Sequence, residues 1–126
     1  MPCSVLVVED DAQLRLTLLK LLQEERYTVR GAADGQMALT CLAQEPFDIV
    51  LLDMHLPRID GWTVAREIRE RELASSIVVL TAAHNARAVS QELGATGYVA
   101  KPFALLQLLR TLEPLCTCQD REPTAA

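Results

Sequence analysis

Polar residues suited to phosphoryl chemistry follow four short apolar runs of this sequence. These residues are Glu9, Asp10 and Asp11 after residues 5–8, Asp53 after 49–52, Thr81 after 77–80, and Lys101 after 98–100. Because the carboxyl ends of parallel strands meet at one edge of an open α/β sheet, we expect these side chains to lie close together. Carboxylates, a hydroxyl and an ammonium suit a hard cation together with a phosphoryl group.

The elements that must position these residues alternate between strand and helix. Continuous apolar runs are typical of strands buried on both faces, and leucines at helical spacing, with Leu16 widening the stripe, indicate amphipathic helices. We expect strands at 5–8, 28–32, 48–52, 77–80 and 98–100, and helices at about 12–24, 35–43, 62–72, 83–93 and 104–113. Asp11 and Asp34 are expected as N-caps and Gly94 as a C-terminal cap.

Five such units predict an α/β fold with parallel strands and right-handed crossovers. The expected architecture is a three-layer, doubly wound (βα)5 sandwich with the sheet order 2-1-3-4-5. This order is favoured because it brings strands one and three together at the switch point, where ligands bind. Glu9, Asp10 and Asp53 would then be neighbours.

The length and net charge of the chain restrict the classes of protein to which it can belong. With 126 residues, half of them hydrophobic, the chain is expected to form one domain over residues 1–115, with 116–126 as a polar tail or the start of a linker. The net charge of −5 argues against direct nucleic-acid binding, which needs a basic surface. No apolar run reaches the roughly 18 residues of a membrane span and no signal peptide is visible, so a cytoplasmic protein without membrane attachment is expected.

The cysteines do not form a recognisable metal motif. Cys3, Cys41, Cys116 and Cys118 fit no structural zinc spacing. We expect free thiols in a reducing compartment, with a regulatory disulfide near the C-terminus as the alternative.

Four motifs taken together resemble the receiver domain of bacterial two-component response regulators. They are VVEDD at 7–11, DMHLPRIDG at 53–61, LTA at 80–82 and KPF at 101–103. The resemblance extends over residues 4–114, nearly the whole chain. Each motif alone is weak, but the four in this order and spacing are specific.

The resemblance implies that Asp53 accepts a phosphoryl group, since a carboxylate is a competent nucleophile for phosphorus. It implies that Glu9, Asp10 and Asp53 bind Mg²⁺, together with the backbone carbonyl of His55. Mg²⁺ prefers oxygen ligands and keeps several waters, so few protein carboxylates suffice. Asp11 is interpreted as a helix cap rather than a metal ligand.

The resemblance also implies a switch. Lys101 would neutralise a phosphoryl oxygen as a point charge, the hydroxyl of Thr81 would move onto the phosphoryl group, and the rotamer of Tyr98 would follow. The implied partners are a sensor histidine kinase or phosphotransfer protein, and a downstream protein or effector domain that contacts the fourth helix, fifth strand and fifth helix. A homodimer through this face is a further expectation that the sequence leaves open.

Two other classes of function remain as alternatives. One is an α/β phosphatase with an aspartyl nucleophile, although His55 stands where a partner acid would be expected two residues after Asp53. The other is a receiver-like binding module that is not phosphorylated. The leading interpretation is a signalling switch rather than an enzyme acting on other substrates, with only self-catalysed phosphotransfer and slow autodephosphorylation.

Overall fold

A computed structural model describes residues 3–56 and 59–116 of the chain. Strands and helices alternate through this part of the sequence as expected. They are β1 Ser4–Val8, α1 Ala12–Glu24, β2 Thr28–Ala32, α2 Gly35–Gln44, β3 Ile49–Asp53, α3 Gly61–Glu70, β4 Ser76–Ala82, α4 Ala83–Leu93, β5 Gly97–Lys101 and α5 Leu105–Leu112, followed by a short 3₁₀ helix, Glu113–Leu115. The strands extend far enough to include Asp53, Thr81 and Lys101 as their last or nearly last residues.

The five strands form one parallel sheet in the order β2-β1-β3-β4-β5, which confirms the predicted topology. Alternate residues of each strand point to opposite faces. Leu6 and Val8 belong to a buried cluster with α2, α3 and α4, whereas Val5 and Val7 belong to a second cluster with α1 and α5. The chain is therefore the three-layer sandwich expected from the sequence.

The predicted helix caps are present. Asp11 accepts hydrogen bonds from the amides of Gln13 at 3.0 Å and Leu14 at 3.2 Å, which fixes the start of α1. Asp34 caps α2 by accepting from the amide of Met37 at 2.8 Å. Gly94 ends α4 with φ of 70°, a left-handed conformation in which a side chain would be strained.

One expected core residue of α1 lies at the surface. Leu16 is 62% exposed, while Leu18 and Leu22 are fully buried. Successive helix residues are rotated by about 100°, so Leu16 lies about 200° from Leu18 and on the opposite side of the helix. The apolar stripe of α1 is therefore narrower than the leucine content suggests.

The expectation that the cysteines are free thiols is wrong for two of them. Cys3 and Cys116 form a disulfide with a Cα–Cα distance of 5.5 Å, while Cys41 is free, as expected, and lies buried. A helix that connects parallel strands runs antiparallel to them. Because α5 packs on the sheet in the same antiparallel direction, it ends at the edge of the sheet where β1 begins. Cys3 and Cys116, which are 113 positions apart in the sequence, therefore meet there. Cys118 and the rest of the expected tail, residues 117–126, lie outside the described part of the chain.

None of the helices within the described residues is long and apolar enough to cross a lipid bilayer.

Candidate functional site

The carboxyl edge of the sheet brings together the residues singled out by the sequence. The register of β1 and β3 pairs Val8 with Leu52, so the residues that follow them, Glu9 and Asp53, lie side by side. On the other side of Asp53, β4 ends with Thr81 and Ala82, and Ala82 is paired with Lys101 of β5. Adjacent parallel strands thus place a carboxylate, a hydroxyl and an ammonium at one edge.

Three carboxylates form the centre of this edge. Oxygen atoms of Glu9, Asp10 and Asp53 all lie within 4.8 Å of one another, and Glu9 and Asp53 are only 1% and 3% exposed whereas Asp10 is exposed. An all-oxygen donor set with one open side is what Mg²⁺ requires, because it keeps several waters. The acidic cluster is therefore suited to holding a metal ion.

Lys101 is the cation that accompanies this cluster. Its Nζ lies 3.0 Å from Glu9 Oε1 and 3.3 Å from Asp53 Oδ2. Burial by itself lowers the pKa of Lys101, but the close approach of the Glu9 carboxylate and the negative charges of Asp53 and Glu9 outweigh it and raise that pKa. The side chain is therefore held in the charged form beside Asp53. The following Lys101–Pro102 peptide bond is cis.

Glu9 has the most strongly perturbed environment of the site. Burial, followed by the proximity of Asp53, raises the pKa of Glu9 to about 7, against the lowering effects of the Asp11 amide and Lys101. Glu9 Oε2 accepts from the amide of Asp11 at 3.1 Å, and Oε1 faces Lys101 without the alignment of a hydrogen bond. Glu9 Oε1 is therefore a buried carboxylate oxygen that has the charge of Lys101 beside it but accepts no hydrogen bond from the described residues. Such an oxygen is suited to binding a further cation.

The loops around Asp53 hold its carboxylate in place. Asp53 Oδ1 accepts from the amide of His55 at 3.0 Å, so its two oxygens are directed to the loop and to Lys101 respectively. The side chain of His55 itself is exposed. The role of the His55 carbonyl as a metal ligand stays a prediction.

Two residues that sequence reasoning did not single out as part of the site support it. Arg15 of α1 donates to the backbone carbonyl of Glu9 at 2.8 Å and so fixes the β1–α1 loop. A Cβ on Gly61 would lie 2.9 Å from the carbonyl oxygen of Asp53, so only glycine lets α3 start this close to β3. The glycine following Asp60 was a visible signal for a helix start, whereas nothing in the sequence distinguished Arg15.

An open groove of about 850 Å³ connects the site to the α1–α5 side of the molecule. Its polar end contains Asp53, Thr81 and Lys101, and its apolar wall contains residues of α1 together with Phe103. Thr81 is 2% exposed at the bottom of this groove. Tyr98 does not line it and is 39% exposed on β5. The structure thus brings together all the predicted site residues except Tyr98, which lies on β5, three residues before Lys101.

The raised pKa of Glu9 predicts a specific pH dependence of stability. Between the ordinary value of 4.5 and the folded value of about 7, the folded protein binds more protons than the unfolded chain. In the presence of a chelator, the free energy of unfolding is therefore expected to fall as the pH rises from about 5 to about 7, by up to about 3 kcal/mol at 1.36 kcal/mol per pKa unit. Thermal unfolding at several pH values measures this slope.

Glu9→Gln removes the titrating group and is expected to flatten the profile in this pH window. Glu24→Gln, at an exposed position near the end of α1, is the matched control and should keep the slope of the parent. Equal slopes in the parent and Glu9→Gln would contradict this account of Glu9.

The fold and the site together define a class of protein: a doubly wound α/β domain with a nearly buried aspartate at the end of β3, beside an acidic pair and a lysine. Comparison with known proteins identifies that class. The model of the response regulator receiver domain matches residues 5–113, and the chain belongs to this family.

Two curated relatives and a solved structure are similar to the chain. Response regulator MprA of Mycolicibacterium vanbaalenii and transcriptional regulatory protein PdtaR of Mycobacterium tuberculosis are each 39% identical, over 91% and 98% of this chain. The chain spans only 51% and 61% of their lengths. Response regulator TrrA of Thermotoga maritima, solved in complex with Mg²⁺ and BeF, is 34% identical, with a TM-score of 0.80 over 90% of this chain and 98% of that one.

Proposed function

We propose that the chain is a phosphoryl-accepting switch in which Asp53 is the acceptor. The observation that carries this proposal is the environment of Asp53, whose carboxylate is nearly buried, lies 3.3 Å from Lys101 and shares an oxygen cluster with Glu9 and Asp10. A buried aspartate with that much unbalanced negative charge around it is poorly explained by stability alone. The TrrA structure with Mg²⁺ and BeF supports the proposal by similarity.

The chemistry follows from the side chains present. A carboxylate oxygen of Asp53 attacks phosphorus of a phosphohistidine, the P–N bond breaks, and the imidazole of the donor leaves and takes up a proton. Glu9, Asp10, Asp53 and the carbonyl of His55 would hold Mg²⁺, which supplies charge stabilisation to the phosphoryl oxygens when bound. Lys101 supplies a fixed positive charge to one of these oxygens.

The phosphoryl donor would be a sensor histidine kinase or a phosphotransfer protein. The protein would be cytoplasmic, would act only on its own carboxylate, and would bind neither membrane nor nucleic acid directly. Residues 1–115 would form the receiver domain, and 116–126 a tail or the beginning of a linker. The greater length of MprA and PdtaR is consistent with a linker.

The test of this function is phosphorylation by a small donor such as acetyl phosphate. With Mg²⁺, intact-mass spectrometry is expected to find one added phosphoryl group, and with a chelator none, because the carboxylates then repel the incoming anion. Absence of labelling under both conditions would favour a receiver-like module that acts only by binding.

The output would be carried by Thr81 and Tyr98. Tyr98 is opposite Val79 in the β4–β5 register, and Thr81 is two residues after Val79, so the side chains of all three leave the sheet on the α4 face. A phosphoryl group on Asp53 offers new acceptor oxygens to the Thr81 hydroxyl. Movement of Thr81 toward them would open space into which the half-exposed ring of Tyr98 turns.

This coupling predicts where the molecule changes on activation. With the phosphoryl mimic beryllofluoride, amide exchange is expected to change most between Thr81 and Leu109, which covers α4, β5 and the first part of α5. The inactive and active conformations need to differ in free energy by only a few kcal/mol for phosphorylation to shift the population between them. Thr81→Ala should bind the mimic but lose the change at Tyr98. Changes restricted to α2 and α3 would contradict the proposed output face.

The same face would dock a downstream protein, an effector domain or a second copy of the chain. Leu106 is 56% exposed and Leu105 36% exposed on α5, as expected for a helix with too many leucines for one buried face.

A further inference from the structure

The disulfide lies at the opposite edge of the sheet from the phosphoryl site. Cys3 immediately precedes β1, whereas Glu9 follows the carboxyl end of β1 and Asp53 is the last residue of β3. Cys3 is fully buried in the α1–α5 cluster, and Cys116 packs against that cluster while partly exposed. The Cα–Cα distance of 5.5 Å is near the middle of the range for a disulfide.

We propose that Cys3 and Cys116 form a redox-controlled staple, a thiol–disulfide pair that a dithiol reductant opens and a disulfide oxidant closes. α5 lies between two points of attachment. On its N-terminal side β5 ends at Lys101, which contacts Glu9 and Asp53, and on its C-terminal side the disulfide joins the chain to the start of β1. Opening the disulfide releases the second attachment and leaves the first in place.

The reaction balances as an ordinary thiol–disulfide exchange. A thiolate of the reductant attacks Cys116 Sγ, the more accessible sulfur, and Cys3 leaves as a thiolate that takes up a proton. The second thiol of the reductant then displaces Cys116, which is also protonated. The pair has gained two electrons and two protons, and the reductant has become a disulfide. In this reduced state the Cys116 thiol has an acceptor available, because Sγ lies 3.7 Å from the Leu112 carbonyl oxygen.

Two features favour a reversible staple over a permanent one. Cys116 follows a 3₁₀ helix of only three residues, so little structure must open before a reductant reaches its sulfur. The proposed cytoplasmic location is reducing, and disulfides that form there are usually transient or redox-sensing. This second point rests on the proposed function, whereas the pairing itself does not.

Opening the staple has a structural consequence for α5. The disulfide restricts the unfolded chain over a loop of more than 100 residues, and such loops give the larger stabilisations. The reduced protein should therefore melt about 10–20 °C lower than the oxidised one. Exchange of the amides from Leu105 to Cys116 should accelerate on reduction, because α5 then frays from its free end, while α2 stays unchanged.

The experiment uses the full chain without Mg²⁺ or phosphodonor, so its outcome is independent of phosphorylation. The protein is equilibrated in glutathione buffers of increasing oxidation, denatured, alkylated and mapped by mass spectrometry. Cys3 and Cys116 should become protected together and be recovered as one linked peptide, and native dithiothreitol should reopen the link. Thermal unfolding and amide exchange of the two forms then measure the loss of stability.

Variants separate the staple from other cysteine effects. Cys116→Ala should melt like the reduced parent and lose any response to dithiothreitol, and Cys3→Ala provides a second test of the same bond. Cys41→Ala removes the buried free thiol and should keep the full redox shift. The proposal is overturned if Cys3 is alkylated in every buffer, if it is linked to Cys118 instead, if dithiothreitol opens the bond only in denaturant, or if both redox forms melt together.

Discussion

Asp53→Asn is expected to abolish phosphorylation by a small phosphodonor in Mg²⁺, reducing the fraction labelled in intact mass from most of the protein to none. The amide retains the size of the side chain but is not a nucleophile toward phosphorus. The substitution also removes one of the three carboxylates whose oxygen atoms lie within 4.8 Å of one another. Both the attacking atom and part of the proposed metal site are therefore lost with little change in packing.

Asp11→Asn is the matched control for this variant. Asp11 lines the same groove, so its replacement removes a nearby charge, yet asparagine caps a helix about as well as aspartate. Labelling at the parental rate is expected for Asp11→Asn. If Asp53→Asn labels as well as the parent, Asp53 is not the acceptor, and peptide mapping would locate the residue that is.

Asp10→Asn is expected to raise the melting temperature of the metal-free protein and to remove most of its response to Mg²⁺. At separations within 4.8 Å, each repulsion between carboxylates amounts to at least roughly 1 kcal/mol in a well-solvated setting and more where water is excluded. Relief of about 1 kcal/mol raises the midpoint by about 4 °C for a domain of this size. In the parent, Mg²⁺ at 100 times its dissociation constant would stabilise the fold by about 2.7 kcal/mol, because it binds only the native state.

Thermal unfolding with chelator and with Mg²⁺ measures both effects. Asp53→Ala should also melt at a higher temperature than the parent without metal, although the substitution removes one of the two ion-pair partners of Lys101. The control Asp11→Asn should keep the Mg²⁺ response of the parent. Equal stabilisation by Mg²⁺ in the parent and in Asp10→Asn would be incompatible with the assigned metal site.

Much of the site was accessible from the sequence because its geometry follows from chain position. A residue at or immediately after the end of a buried parallel strand must lie at the carboxyl edge of the sheet, so Glu9, Asp53 and Lys101 share that edge whatever the detailed packing. The caps were equally local, since Asp11 and Asp34 bond to amides two or three residues away. Leu16 was misassigned because composition indicated a wide apolar stripe, whereas the rotation of the helix determines which leucines reach the core.

The sequence by itself therefore determined the alternation of strands and helices, the identity of the acidic cluster and the family resemblance, all of which depend on local order and spacing. Only the tertiary structure decided the features that depend on distant segments meeting. Burial of Glu9 next to Asp53 raises its pKa to about 7. The residues adjacent to Glu9 in the sequence do not indicate this burial. The Cys3–Cys116 disulfide exists because α5 ends where β1 begins, and a separation of 113 residues carries no sequence signal of that contact.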